Sequence, residues 1–187
     1  MEKEEKEVKI QNLIIYFFVC GCIGWILECI YAYIVLGEIV NRGFLYGPIC
    51  PIYGFGAIIM IGISEGIQKR KTNLFIKFLI FAVIFTVLEY ITSLAMELIF
   101  HQRWWDYTNE LLNINGRVCL MFSLMFGVMG VVFTEWIYKP SRKWIEKIRE
   151  KIESKTIWDT LKFVTTIWIA DTIISILRYL NLLTILR

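Results

Sequence analysis

Residues 74–100 read LFIKFLIFAVIFTVLEYITSLAMELIF. An α-helix needs about 20 predominantly apolar residues to cross the bilayer hydrocarbon, and this run supplies them with only Lys77, Glu89 and Glu97 charged. It reads as a membrane span. Glu89, Ser93 and Glu97 recur at i, i+4 and i+8, which sets two acids and a hydroxyl along one helical stripe. A charge at mid-membrane costs at least about 2.5 kcal/mol, so such an acid by default faces a bundle interior and marks a functional site.

Four further segments have the same character, at about 10–36, 49–67, 117–138 and 158–178. With 57% hydrophobic residues and a mean hydropathy of +0.59, the chain is expected to be all-α, a polytopic bundle of about five transmembrane helices. Five spans leave little room for a soluble domain, and no repeat or low-complexity tract divides residues 1–187. One integral membrane domain is expected. The first span is too long for a signal peptide, lacks a small-residue cleavage site and carries Glu28, so it is expected to be retained.

Short cytoplasmic loops collect Lys and Arg. The N-terminal tail (Lys3, Lys6, Lys9), the second loop with its flank (Lys69, Arg70, Lys71, Lys77) and the segment from Lys139 to Lys155 together hold fourteen, against five on the opposite side: Arg42, Arg103, Arg117, Arg178 and Arg187. The expected topology therefore has a cytoplasmic N-terminus and an outside C-terminus in the cell membrane. Residues 139–157 read as a cytoplasmic amphipathic segment, with Trp144, Ile145, Ile148 and Ile152 on its apolar side and basic residues toward anionic headgroups.

This topology puts the two most irregular stretches on one outer side. The first, Asn41-Arg42-Gly43-Phe44-Leu45-Tyr46-Gly47-Pro48-Ile49-Cys50-Pro51-Ile52-Tyr53-Gly54-Phe55-Gly56, has prolines and glycines that resist regular helix. It predicts a broken or re-entrant start to the second span, against the plainer reading of a surface turn before a Pro-started helix. The second runs from His101-Gln102-Arg103-Trp104-Trp105-Asp106-Tyr107-Thr108 to Asn113-Ile114-Asn115-Gly116-Arg117. An interfacial aromatic belt accounts for Trp104, Trp105 and Tyr107 but not for Asp106, Asn113, Asn115 and Arg117.

The candidate ligand-binding set is Glu28, Asn41, Arg42, Tyr46, Tyr53, Glu89, Glu97, Asp106, Asn115 and Arg117. Arg42 and Arg117 are the expected counter-charges, since a guanidinium fork suits a carboxylate or phosphate. Interhelical ion pairing that only fixes the bundle is the competing account. Gly21 and Gly24, with Gly56 from the second span, suggest close helix contact, and Asp171 with Arg178 a pair in the last. Glu135, near the inner end of the fourth span, is given no role.

Five cysteines, Cys20, Cys22, Cys29, Cys50 and Cys119, lack metal-ligand spacing, and the sequence leaves open a Cys50–Cys119 disulfide. No phosphate loop ending in Gly-Lys-Ser/Thr occurs, and His101 has no nucleophile partner in pattern. No cofactor, metal or nucleic-acid partner is expected.

Taken together, Gly24-Trp25-Ile26-Leu27-Glu28, the Asn41 to Gly54 block, Glu89-Tyr90, Glu97, Trp105-Asp106-Tyr107 and Asn113-Ile114-Asn115-Gly116-Arg117 resemble the CmpB-like membrane proteins labelled putative ABC-transporter type IV. The resemblance covers about residues 12–138 and leaves out the last span. Thr108 stands where the pattern has serine, and Phe126 where it has tryptophan. The resemblance implies an integral envelope protein connected with transport.

Three functions remain in view. A permease would offer an outward polar cavity to a small polar or cationic solute or a lipid headgroup. With so few helices it would need a homo-oligomer or a separate ATPase subunit, beside its membrane lipid. An intramembrane enzyme acting on lipid or cell-envelope precursors would hold phosphate on Arg42 and Arg117, with Glu89 or Glu97 as general base. A scaffold would use the polar groups for assembly alone.

Overall fold

The computed structural model describes residues 2–38, 43–68 and 72–180. Its helices run in the order α1 (Glu2–Leu36), α2 (Pro51–Gln68), α3 (Leu74–Phe100), α4 (Leu120–Val132), a π-helical turn (Phe133–Tyr138), α5 (Lys139–Arg149) and α6 (Ser154–Tyr179). Among the described residues there is no β-strand, only an isolated bridge between Ile114 and Val118. The all-α expectation holds. Four runs are long and apolar enough to cross a membrane, Glu4–Val35, Leu74–Phe100, Leu120–Arg149 and Ser154–Tyr179, while the apolar run Pro51–Ile67 is shorter. The protein is a multi-pass helical membrane protein.

The chain forms two compact units, Met1–Ile59 with Lys143–Arg187, and Met60–Arg142. In the first, α2 begins at Pro51, whose fixed φ and missing N–H suit the first helical position. The N–H of Cys50, just before it, donates to the carbonyl of Gly21 at 3.0 Å. Gly21 lies near the middle of the run Glu4–Val35, so the non-helical stretch 43–50 ends level with the middle of α1. This is the broken start expected of the second span. Such backbone is tolerated at depth only where protein satisfies its polar groups.

Close approach of α1 and α2 follows from their glycines. A Cβ on Gly24 would fall 2.3 Å from the Tyr53 ring, one on Gly54 2.6 Å from the Phe17 ring, and one on Gly21 2.9 Å from Ile49. Phe17 then meets both Phe55 and Trp168 edge-on at 5.0 Å. At the other end of α1 the fully buried Gln11 donates to Ser154 Oγ at 3.3 Å and accepts from Arg149, which also donates to Asn12 at 2.9 Å. These bonds tie α1 to the start of α6.

In the second unit α3 and α4 form a tight hairpin. Asn73 caps α3 by accepting from the Ile76 N–H at 2.8 Å. Gly127 and Gly130 admit the rings of Phe78 and Phe81, each at 2.6 Å or less from where a Cβ would stand, and the Thr86 and Ser123 hydroxyls bond at 2.7 Å. The segment from Lys139 forms the amphipathic helix α5, which continues from α4 as one helical run, Leu120–Arg149. Pro140 lacks an N–H and crowds the carbonyl four residues back, and the π-turn ending at Tyr138 respaces those carbonyls. The break comes later, before α6 starts at Ser154.

Candidate functional site

The stripe on α3 is the frame of the second unit's polar site. Glu89 and Ser93 are buried, 6% and 5% exposed, while Glu97 stands a turn further out. His101 ends α3 in a left-handed conformation, its N–H donating to the Glu97 carbonyl at 2.8 Å, and the chain turns back over the stripe.

The returning loop is held by its own side chains. Asp106 accepts from the Thr108 N–H at 2.9 Å and from the Thr108 hydroxyl. The Thr108 hydroxyl above all, then its N–H, hold the Asp106 carboxyl below the ordinary range, with the nearby Arg103 charge a smaller contribution. Asn113 donates to the carbonyls of Thr108 and Glu110 at 2.9 and 3.0 Å and accepts from the Gly116 N–H at 3.1 Å. Gly116 takes φ +67, and a Cβ there would lie 2.6 Å from both Asp106 Oδ1 and Thr108 Oγ1. Asn115, at φ 54, reaches the Tyr90 hydroxyl at 2.8 Å.

This fold of the loop delivers Arg117, 7% exposed, onto α3. Its guanidinium donates to Ser93 Oγ at 3.2 Å and to Glu97, and Glu97 is also paired with Arg103 at 3.1 Å. The Trp105 indole donates to the Arg117 carbonyl at 3.0 Å. Arg117 is thus a counter-charge, as expected, but to Glu97. Glu89 instead accepts from the Tyr107 hydroxyl at 3.1 Å through Oε1, while its Oε2 is buried with no hydrogen-bond partner among the described residues. The Tyr107 ring stacks on Phe122 at 4.6 Å, which fixes the hydroxyl over the carboxylate.

The remaining candidates lie in the first unit. Glu28 accepts from the Tyr53 hydroxyl at 2.7 Å. Tyr46 belongs to the non-helical stretch before α2, its N–H bonded to Asp171 Oδ1 at 3.1 Å and its ring 4.2 Å from the Arg178 guanidinium. Asn41 and Arg42 fall outside the described residues. Within the second unit the contacts join Glu89 with Tyr107, Glu97 and Ser93 with Arg117, and Asn115 with Tyr90, while Asp106 is held in its loop; within the first they join Glu28 with Tyr53 and Tyr46 with α6.

Asp171 and Arg178 do not pair with each other. Asp171 accepts from the N–H groups of Tyr46 and Gly47, the second at 2.9 Å, and Arg178 donates to the Phe44 carbonyl at 3.4 Å. The sequence carried the acid and the cation but no sign that both serve residues 44–47. By residue type Tyr107 and Trp105 read as belt aromatics; their further signal was the run Trp105-Asp106-Tyr107, one of the blocks that carry the resemblance. Glu135 bonds Lys77 and Lys139, and all five cysteines are free thiols.

The family model described as "Putative ABC-transporter type IV" matches residues 15–176. The match therefore runs past residue 138 and takes in most of α6, which corrects the narrower range read from the motifs. No curated protein and no solved structure matches the chain.

Proposed function

Because the chain belongs to the family described as "Putative ABC-transporter type IV", we propose that it is the membrane-embedded component of a transport system, and that Glu89 binds a small polar or cationic solute. The observation that carries this is the unpartnered Oε2 of Glu89. A buried acceptor left without a donor costs about 1–3 kcal/mol, and a ligand N–H or O–H recovers that cost. Tyr107 orients the carboxylate from the loop side. The pairing of Arg117 with Glu97 keeps the neighbouring charges in balance, so Glu89 is the acceptor left for a donor from outside.

The N-terminus is cytoplasmic in this reading, and the basic residues Lys143 and Lys147 of α5 face the cytoplasm. They offer an ATPase subunit its docking charge, and the few helices favour a homo-oligomer. A phosphate-handling enzyme is less well supported, because Arg117 already engages Glu97 and Ser93. The test places cysteine at residue 89 in a chain whose native cysteines are replaced. A charged, water-soluble thiol reagent added from the outer side is expected to label Glu89→Cys, and a cationic reagent to label it faster than an anionic one. An unlabelled residue 89, beside a labelled control cysteine in the outer loop, refutes the solute site.

A further inference from the structure

Arg178 is a cation at the end of a membrane-spanning helix with no carboxylate within ion-pair distance among the described residues. Its guanidinium lies between the rings of Tyr46 and Tyr179, 4.2 and 4.4 Å from their centroids. Among the described residues its one hydrogen bond goes to the Phe44 carbonyl at 3.4 Å, so most of its five N–H donors meet no acceptor there. Asp171, seven residues earlier, is the nearest acid along the same helix. It is engaged by the backbone N–H groups of Tyr46 and Gly47 and by Ser175.

An open groove of about 520 Å³ runs along this face, lined by Tyr46, Ile167, Ala170, Asp171 and Ile174. Ile167, Ala170, Ile174 and Arg178 follow i, i+3, i+7 and i+11 and so share a helical face. From Arg178 to Ile167 the helix descends about 16 Å at ~1.5 Å per residue. That is close to half of the ~30 Å hydrocarbon thickness, the depth of one leaflet. Ile167 and Ile174 are 54% and 46% exposed.

We propose that this groove is a phospholipid site, with Arg178 bonded to the lipid phosphate and one acyl chain lying along Ile174, Ala170 and Ile167. The charge complementarity is specific. A planar guanidinium held between two rings is preorganised for two parallel bonds to phosphate oxygens, and it sits at the end of the span, where lipid phosphates lie. Asp171 acts as a positioning residue: by holding Tyr46 it fixes both the groove wall and one of the rings against Arg178. A soluble phosphate would use the cation and leave the apolar channel empty. This site belongs to the first unit and does not depend on the solute reading of Glu89.

The test is native mass spectrometry of the full chain released from nanodiscs of a single phospholipid, with activation raised until annular lipid is stripped. Wild type is expected to keep one phospholipid per chain. Arg178→Gln should lower the retained fraction by about tenfold, the loss of charged hydrogen bonds. Ala170→Phe fills the groove from an exposed position and should lower it as much with Arg178 intact, while Ile173→Phe, outside the groove, should not. Equal retention in wild type and Arg178→Gln overturns the site. So does displacement of the lipid by soluble glycerol phosphate, or unchanged retention in Ala170→Phe, either of which would mark a phosphate-only site.

Discussion

Replacing Gly24 with alanine puts a methyl group where the Tyr53 side chain already stands, with the ideal Cβ 2.3 Å from Cγ, 2.4 Å from Cδ2 and 2.6 Å from Cβ of Tyr53. The ring base cannot rotate out of the way, because the clash includes its Cβ, so α1 and α2 must separate or tilt. Overpacking of this kind costs about 1–3 kcal/mol. Separation also withdraws the Tyr53 hydroxyl from Glu28, a 2.7 Å bond worth about 1 kcal/mol net. A total loss of about 2–4 kcal/mol is expected from these two terms. The assay is reversible unfolding in mixed micelles of four proteins: wild type, Gly24→Ala, Tyr53→Phe and the double variant. Since alanine has already broken the hydroxyl contact, Tyr53→Phe should cost about 1 kcal/mol alone and close to nothing in the Gly24→Ala background, a non-additivity that the double-mutant cycle reads directly. An unchanged stability of Gly24→Ala, or strict additivity of the two changes, refutes the packing argument.

Arg117→Gln should destabilise the α3–loop contact by about 1–2 kcal/mol, discounted from a fully buried pair because Glu97 keeps 34% side-chain exposure and its bond to Arg103. Arg117→Lys should not restore the loss, because one ammonium does not reproduce the fork that meets Ser93 and Glu97 together, and the same micelle assay checks both. The Asp106 carboxyl is held below its ordinary value by Thr108, so its contribution to the loop is fully present above about pH 3.9 and is lost as pH falls through the depressed folded value. Protection of the Thr108 amide, its exchange compared with the intrinsic rate at each pH, should therefore fall as the medium is acidified below that point, and in Asp106→Asn it should be low already at neutral pH. High, pH-independent protection in both proteins would remove Asp106 from the loop's support.

Residue type and period along the chain were enough to read the membrane spans. The cost of placing Glu89 and Glu97 in hydrocarbon is a property of the residues themselves, as is the stripe they form with Ser93. The glycines at 21 and 24 likewise announced a close helix approach, since few other reasons exist for small residues in an apolar run. Gly127 and Gly130, equally necessary to the α3–α4 contact, carry the same signal in the fourth span.

What the sequence by itself determined is therefore the helical membrane class, most span positions, the broken start of α2 and the stripe of Glu89, Ser93 and Glu97 on one face of α3. Each depends on neighbours in the chain. Which donor meets which acceptor was decided only by the tertiary structure. Arg117 reaches Glu97 and not Glu89 because the loop turns through left-handed residues at Leu112, Asn115 and Gly116, which set how far back along α3 the guanidinium falls. Asp171 bonds the N–H groups of Tyr46 and Gly47 because residues 43–50 descend beside α6, more than a hundred residues away in the chain. Hydrogen bonds act over about 3 Å, and proximity on that scale between distant segments is a property of the folded chain, not of any local pattern.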